Sequence, residues 1–329
     1  MAIGIHLLFP QVSILTGVAI TVLDSFLLLF LMNRGIRKLE AFIISLVALI
    51  GLSFLAQLVI AEPDAGQVVS GLVPYIENEE ALYIAIGIIG ATVMPHNLYL
   101  HSSLVQKRAF TRNPVEIRQA LRFNTADSAI ALNHALFVNA AILILSASTF
   151  YMQGRHDVVE IQDAHQLLAP MLGSTVAPIL FAVALIAAGQ SSTITGTLAG
   201  QVVMEGYLNF RMQPWIRRIL TRLIAIVPAF LTIMILGDDS TGELLILSQV
   251  ILSLQLGFAI IPLIHFVSDK RKMGDFAIPA WQKIASWAAA LIIISLNAKV
   301  VYNEVSHLIE NSDRPILVSF TIVPVCLLC

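Results

Sequence analysis

The chain has 329 residues, of which 57% are hydrophobic and only 12% are charged. A typical soluble domain is about 25% charged, so this composition excludes an ordinary soluble enzyme or binding module. The net charge of −2 carries no information about partners, and the sequence contains no phosphate-binding loop, ATP-binding motif or nucleic-acid signature.

Apolar segments long enough to cross a bilayer follow one another along the chain. A spanning helix needs about 20 mostly apolar residues, and long unbroken runs favour helices over the short alternating strands of a barrel. We therefore predict an all-α polytopic membrane protein that crosses the cell membrane several times. The predicted spans are 11–32, 41–61, 83–106, 125–150, 175–206, 219–236, 243–267 and 281–302, and a partial span begins near Arg314.

The basic residues predict the orientation of these spans. Of the 19 Lys and Arg residues, 16 fall in alternate connections, whereas the other connections are acidic. The positive-inside rule places the basic connections in the cytoplasm. The residues concerned are Arg34, Arg37, Lys38, Lys107, Arg108, Arg112, Arg118, Arg122, Arg211, Arg217, Arg218, Arg222, Lys270, Arg271, Lys272 and Lys283.

Both ends of the chain suggest missing segments. The alternation places the start of the first span outside, although no positively charged leader precedes it. We therefore expect an odd number of spans upstream of this chain. The short last span predicts that the carboxyl end is truncated as well.

The span 83–106 contains groups that a lipid environment disfavours. Pro95 lacks a backbone donor, so the helix is predicted to break just before it, and Gly87 and Gly90 are expected to loosen the same region. Broken helices at membrane depth are tolerated only where the freed backbone faces protein or a water-lined cavity, and in transporters they form substrate and ion sites. The carbonyl of Ala91 would be freed beside the thioether of Met94, and a thioether favours transition metals over Ca²⁺ and Mg²⁺.

Each of these residues also has an ordinary structural interpretation. A Met in a membrane helix usually packs, a proline kink is common in transporters, channels and receptors, and a single His can form an interhelical hydrogen bond. Polar and ionisable groups inside a span are nevertheless functional as a rule, and several meet here at one break. We favour a binding site on that ground and keep packing as the alternative.

Four segments of the chain resemble, in order, the Nramp (natural-resistance-associated macrophage protein) family of proton-coupled divalent metal transporters. Gly257 is a departure, because a proline is expected there. The segments are "RKLEAF" (Arg37–Phe42), "MPHNLYLHS" (Met94–Ser102), "AAGQSSTITGTLAGQVVMEG" (Ala187–Gly206) and "LSQVILSLQLGFAIIPL" (Leu247–Leu263).

The resemblance implies a LeuT-type fold of two inverted five-helix repeats, with broken first and sixth helices and transport by alternating access. The whole chain, 1–329, would form a single transmembrane domain. Within it, residues 1–61 would be a remnant of the first repeat, 83–267 the second repeat, and 281–329 additional carboxyl-terminal helices.

The resemblance also implies a set of metal ligands. On the broken sixth helix these are the Met94 sulfur and the Ala91 carbonyl, and on the tenth helix Gln249 is the candidate, with Gln255 as second choice. The remaining ligands of the family lie on a first helix with an Asp-Pro-Gly-Asn motif, which does not occur in this chain. Missing upstream helices would therefore be needed to complete the site.

Two histidines and an arginine are candidates for a proton path. On a continuous helix His96 and His101 point about 140° apart, which suits two stations on a water path better than one shared metal. His changes charge in the physiological pH range, and the resemblance associates both residues with proton coupling. Arg222 is the candidate for the basic end of the path, and an ordinary snorkelling residue is an equal alternative.

We therefore expect a secondary transporter that carries Mn²⁺ or Fe²⁺ in symport with protons, with no resident cofactor and no enzymatic activity. The alternatives are a transport-incompetent fragment of such a transporter and another LeuT-type permease. An intramembrane metalloenzyme would need a ligand cluster such as His-Glu-x-x-His, which is absent from the sequence. Replacement of Met94 would distinguish a metal transporter from an amino-acid permease of the same fold, because its loss should affect metal binding but not amino-acid binding.

Overall fold

The computed structural model describes residues 1–21, 23, 27, 30–31, 34–106, 113–156, 158, 160–207 and 241–310. The predicted span 219–236, the partial last span and Arg222 lie outside these residues, as does part of the predicted span 11–32. The described residues form helices joined by turns, and no strand occurs among them. The helices are α1 (Ala2–Leu8), α2 (Ile14–Thr21), α3 (Ile36–Ala61), α4 (Ala65–Ser70), α5 (Glu79–Thr92), α6 (Pro95–Gln106), α7 (Pro114–Thr149), α8 (Ile161–Leu172), α9 (Val176–Tyr207), α10 (Thr241–Ser268), α11 (Lys270–Met273) and α12 (Ala280–Glu310), with 3-10 turns at Tyr151–Gln153 and Gly274–Phe276.

Six segments of the described chain are long and apolar enough to cross a membrane. Each overlaps one predicted span over most of its length, so the prediction of an all-α polytopic membrane protein is confirmed. The segments are Arg37–Ala61, Glu79–Gln106, Pro114–Gln153, Val176–Met204, Leu245–Ser268 and Ala280–Asn303.

Helix α7 begins well before the predicted span 125–150. Asn113 caps it by accepting a hydrogen bond from the Val115 N–H at 3.2 Å, and Pro114 occupies the first helical turn, where its missing N–H costs nothing. Hydropathy detects only the apolar part of a helix, and the polar amino-terminal turns of α7 carry no such signal. The same limit applies to the short helices α4 and α8, which were not predicted.

Residues 1–74 and 99–242 form one compact unit, whose described helices include α3, α7 and α9. Leu39 of α3 packs against Ile194 of α9, and the Phe54 ring meets Phe181 edge-on at 6.4 Å, so α3 and α9 run antiparallel. Gly51 of α3 lies against His134 of α7. Opposite directions of α3 and α9 are what the charges predict, and the cytoplasmic placement of the basic connections stays a prediction.

Residues 75–98 and 243–329 form a second compact unit, whose described helices include α5, α10 and α12. Leu82 and Ile86 of α5 pack with Val250 of α10 and Val300 of α12 in one buried cluster. Helix α5 is regular through Gly87 and Gly90, so these glycines do not loosen it as expected. The assignment of the inverted repeats stays a prediction.

Candidate functional site

The span that was predicted to break does so at the expected place. Helix α5 ends at Thr92 and α6 begins at Pro95, which leaves Val93 and Met94 outside regular helix. The Val93 N–H still donates to the Ile89 carbonyl at 2.8 Å, and the Met94 carbonyl accepts from the Asn97 N–H at 3.1 Å. The break is therefore short and well defined.

The break leaves the Ala91 carbonyl without its helical donor for a chemical reason. In a continuous α-helix the Ala91 carbonyl would accept a hydrogen bond from the residue four positions later, but that residue is Pro95, which has no N–H. Ala91 is exposed and Met94 is half-buried. A hard carbonyl oxygen and a soft thioether sulfur are thus available within four residues of one another.

Gln249 lies beside this break within the second unit. Its backbone carbonyl contacts Gly90 so closely that a Cβ at Gly90 would overlap it, and Gly90 immediately precedes Ala91. The Gln249 Nε2 donates to Ser248 Oγ at 3.2 Å, whereas Oε1 is buried without a hydrogen-bond partner among the described residues. The exposed Gln255 lies six residues further on, on another side of α10, so Gln249 is the better candidate.

The two histidines have different surroundings. His96 is half-buried in the first turn of α6, and His101 is exposed, with its Nε2 lying 3.4 Å from the Nδ2 of Asn124. Because α6 is continuous from Pro95 to Gln106, the two rings project from different sides of one helix. Arg222 lies outside the described residues, so its place beside the histidines stays a prediction.

The donor atoms at the break differ from those of a resident metal centre. Within the described ranges, no three His, Cys, Asp or Glu side chains are grouped so that they could hold a metal ion. The candidate donors near the break are a thioether, a backbone carbonyl and a side-chain amide, and their binding of one ion stays a prediction. This set suits a cation that binds and leaves.

Sequence reasoning missed one polar pair next to the break. Ser253 of α10 donates from Oγ to Asn297 Oδ1 of α12 at 3.0 Å, and Asn297 Nδ2 donates to the Ser253 carbonyl at 3.0 Å. Both residues are buried. A polar residue in each of two predicted spans was the available signal, but nothing in the sequence pairs them.

A family model described as natural resistance-associated macrophage protein-like (Nramp) matches residues 1–303. The chain belongs to the Nramp family. It is 52% identical over 300 residues to the divalent metal cation transporter MntH of Nostoc sp., with 90% of this chain and 68% of that protein covered. Its identity to MntH of Bradyrhizobium diazoefficiens is 54%, with 91% and 67% covered.

Solved structures show the same relationship. The crystal structure of a mutant of the Eremococcus coleocola manganese transporter aligns with a TM-score of 0.83 at 35% identity, covering 99% of this chain and 72% of that one. The same transporter in complex with an aromatic bis-isothiourea compound aligns equally well. This Nramp chain is therefore a multi-pass membrane protein with the LeuT-type fold, and it belongs to a family of transporters, not enzymes.

Proposed function

We propose that this Nramp chain transports a divalent transition metal cation, Mn²⁺ or Fe²⁺, in symport with protons and by alternating access. The relatives above are named divalent metal cation transporters, and the structurally similar protein is named a manganese transporter. The observation that carries the proposal is the break at Val93–Met94, which follows directly on Ala91 and lies beside Gln249.

The donor set favours transition metals over the abundant hard cations. Ca²⁺ and Mg²⁺ prefer oxygen ligands throughout, whereas a thioether is a soft ligand. The Met94 sulfur would therefore discriminate against Ca²⁺. The Ala91 carbonyl and the Gln249 Oε1, which is buried without a hydrogen-bond partner in the described part of the chain, would supply the oxygen ligands that Mn²⁺ and Fe²⁺ also accept.

The helix end adds a favourable field. The last carbonyls of a helix have no intrahelical donor and carry a partial negative charge. Ala91 lies in the last turn of α5, so this field points toward the break. A cation bound there would be stabilised before any charged side chain contributes, which suits a site that must release its ion again.

His96 and His101 are proposed as proton carriers, with Arg222 as the basic end of their path. His96 lies two residues after Met94 at the start of α6, close enough in the chain for its protonation to respond to a bound cation. His101 lies beside Asn124, further along the helix. Symport would follow if metal and proton occupy these positions together.

The test is Mn²⁺ uptake into proteoliposomes, with Ca²⁺ as competitor. Two forms are compared, the chain itself and a form restored upstream through a first helix that bears Asp-Pro-Gly-Asn. Met94→Ala is expected to lower Mn²⁺ uptake about tenfold and to narrow the preference for Mn²⁺ over Ca²⁺. The control Met152→Ala removes an exposed Met and should change neither.

Three outcomes are decisive. Absence of Mn²⁺ uptake by both forms would refute the proposed function. Unchanged selectivity in Met94→Ala would place the metal elsewhere. Uptake by the restored form alone would show that the chain by itself carries an incomplete site.

Proton coupling has its own test in the same vesicles. Mn²⁺ entry should acidify a lumen that contains a pH-sensitive dye, and His96→Ala should reduce the protons moved per metal. His156→Ala, which alters an exposed histidine outside the spans, is the control. Metal uptake without acidification would contradict symport.

A further inference from the structure

Ser253 and Asn297 form a buried, reciprocal polar contact between two helices of the second unit. Ser253 is 0% exposed and Asn297 is 7% exposed, and the residues are 44 positions apart in the chain. Each donates one hydrogen bond to the other, at 3.0 Å in both cases. A reciprocal pair of this kind cannot slide along the helix axis without losing both bonds.

This pair lies one helical turn from the candidate metal ligand on α10. Gly90 contacts that turn at two points, because a Cβ at Gly90 would overlap the Gln249 carbonyl and lie 3.0 Å from the Ser253 Cβ. Ala91, whose carbonyl is freed by the break, is the next residue. The position of α10 at Ser253 therefore sets the distance between Gln249 and the end of α5.

The Asn297 side chain also decides which acceptor the Ser253 hydroxyl donates its hydrogen bond to. A Ser inside a helix readily donates to the carbonyl four residues earlier, and this bond tends to bend the helix. For Ser253 that carbonyl is the carbonyl of Gln249, whose oxygen packs against Gly90. Because the Ser253 hydroxyl donates its hydrogen bond to Asn297 Oδ1 instead, the contact between Gln249 and Gly90 is left undisturbed.

Helices in a lipid bilayer need a directional contact to fix their register. Lipid tails are as apolar as Leu or Ile side chains, so apolar packing alone defines the relative height of membrane helices weakly. Hydrogen bonds between helices are directional. The reciprocal pair of Ser253 and Asn297 thus supplies a register that the surrounding Leu, Ile and Val residues do not.

We propose that Asn297 is a positioning residue of the metal site, which holds Gln249 at the level of the helix break by binding Ser253. The inference rests on the proposed function and adds a residue of α12 that contributes no donor atom to the metal. Substitution of Asn297 should consequently change the KM for the metal more than Vmax.

The experiment replaces Asn297 by Leu, which has a similar size but no polar group. Mn²⁺ uptake is measured in whichever form of the wild-type chain takes up Mn²⁺. Asn297→Leu should raise the KM for Mn²⁺ about tenfold while Vmax per inserted protein is retained. The matched control is Ser295→Leu, the same kind of substitution at an exposed position of α12, and its KM should stay at the wild-type value.

Ser253→Ala keeps the apolar packing and remains informative if Asn297→Leu fails to fold. It should raise KM about threefold, and the double variant should be no worse than Asn297→Leu alone, because both residues act through one contact.

The proposal is overturned if Asn297→Leu lowers Vmax or thermal stability at unchanged KM, or if Ser295→Leu matches it. Additive effects in the double variant, or a Ser253→Ala protein with wild-type KM, would overturn it too. Any of these outcomes would leave the proposed function intact, provided that Met94→Ala lowers Mn²⁺ uptake and narrows the preference for Mn²⁺ over Ca²⁺. Absence of Mn²⁺ uptake in both wild-type forms would instead remove the proposed function, and the inference with it.

Discussion

The two units of the molecule use buried polar side chains in different ways. In the first unit, Gln57 of α3 is fully buried, and its amide donates to the Ser53 carbonyl of its own helix at 3.2 Å. In the second unit, Ser253 and Asn297 bond from one helix to another. A bond within a helix leaves its neighbours free to shift, whereas a bond between helices fixes their register.

The apolar contacts show the complementary pattern. Around Phe54 the first unit buries Ala141, Leu145 and Ala184 in one cluster, with Phe181 packed edge-on against the ring. The second unit has an apolar cluster of its own around Ile86 and adds the close approach at Gly90 and a polar pair. We therefore expect substitutions in the Phe54 cluster to change stability, and substitutions around Ser253 to change the geometry of the metal site. Four predictions test this contrast.

The largest effect is expected at Gly90. Gly90→Ala would place a methyl group onto the Gln249 carbonyl, and backbone cannot move aside as a flexible side chain can. Displacement of Gln249 by about 1 Å should reduce Mn²⁺ uptake about 100-fold. Gly87→Ala is the matched control, because its nearest neighbour would lie at an ordinary 3.5 Å. Equal uptake by the two variants would show that the contact at Gly90 is unimportant.

Phe54→Ala tests the other side of the contrast. Removal of a buried ring leaves a cavity and should lower the free energy of unfolding by about 3–5 kcal/mol, while the KM for Mn²⁺ stays near the wild-type value. Thermal unfolding in detergent and vesicle uptake measure the two quantities. The neighbouring Leu55→Ala alters a side chain that is 48% exposed and should have little effect. A raised KM in Phe54→Ala would break the proposed division between the units.

Gln57→Leu should leave the free energy of unfolding unchanged or raise it, whereas Phe54→Ala lowers it. Oε1 of Gln57 is buried without a hydrogen-bond partner among the described residues, so its burial costs free energy that leucine would not. We expect unchanged stability or a gain of about 1–3 kcal/mol, measured by thermal unfolding. Asn297→Leu, measured alongside, should show no such gain, because both polar atoms of the Asn297 side chain are hydrogen-bonded. A loss of similar size in Gln57→Leu would indicate that Gln57 also bonds across helices.

The smallest effect concerns His165 of α8, which packs beside Phe181 with ring centroids 6.3 Å apart. Burial lowers the pKa of His165 from its ordinary value of 6.5, and a hydrogen bond to the backbone of Pro178 offsets this only in part. The unfolded chain therefore binds this proton more readily. Stability from the neutral ring is complete above pH 6.5 and falls as the pH drops from there through the lower folded-state value.

The measurement is the thermal midpoint between pH 7.5 and pH 5.5. His165→Gln should flatten its decline slightly, whereas His156→Gln, at an exposed position, should leave the decline as in the wild type. A decline that is steeper in His165→Gln would contradict the assigned sign.

Local signals in the sequence predicted much of this architecture. Hydropathy located the six described spans, and Pro95 predicted the break because the missing N–H acts within one turn of its own helix. The same hydropathy missed the polar start of α7, where the cap at Asn113 decides the boundary. Gly87 and Gly90 were expected to loosen α5, but they allow α10 to approach instead, since a residue without Cβ can serve either purpose.

The amino-acid sequence by itself determined the membrane class, the family and the broken helix that carries Ala91 and Met94. These features depend on composition, charge and residues that are close along the chain. Only the tertiary structure decided that Gln249 lies beside Gly90 and that Asn297 binds Ser253. Both contacts join helices that are distant in sequence, and in an apolar environment many pairings would bury similar surfaces. The choice among them depends on individual hydrogen bonds and on where the absence of a side chain permits close approach.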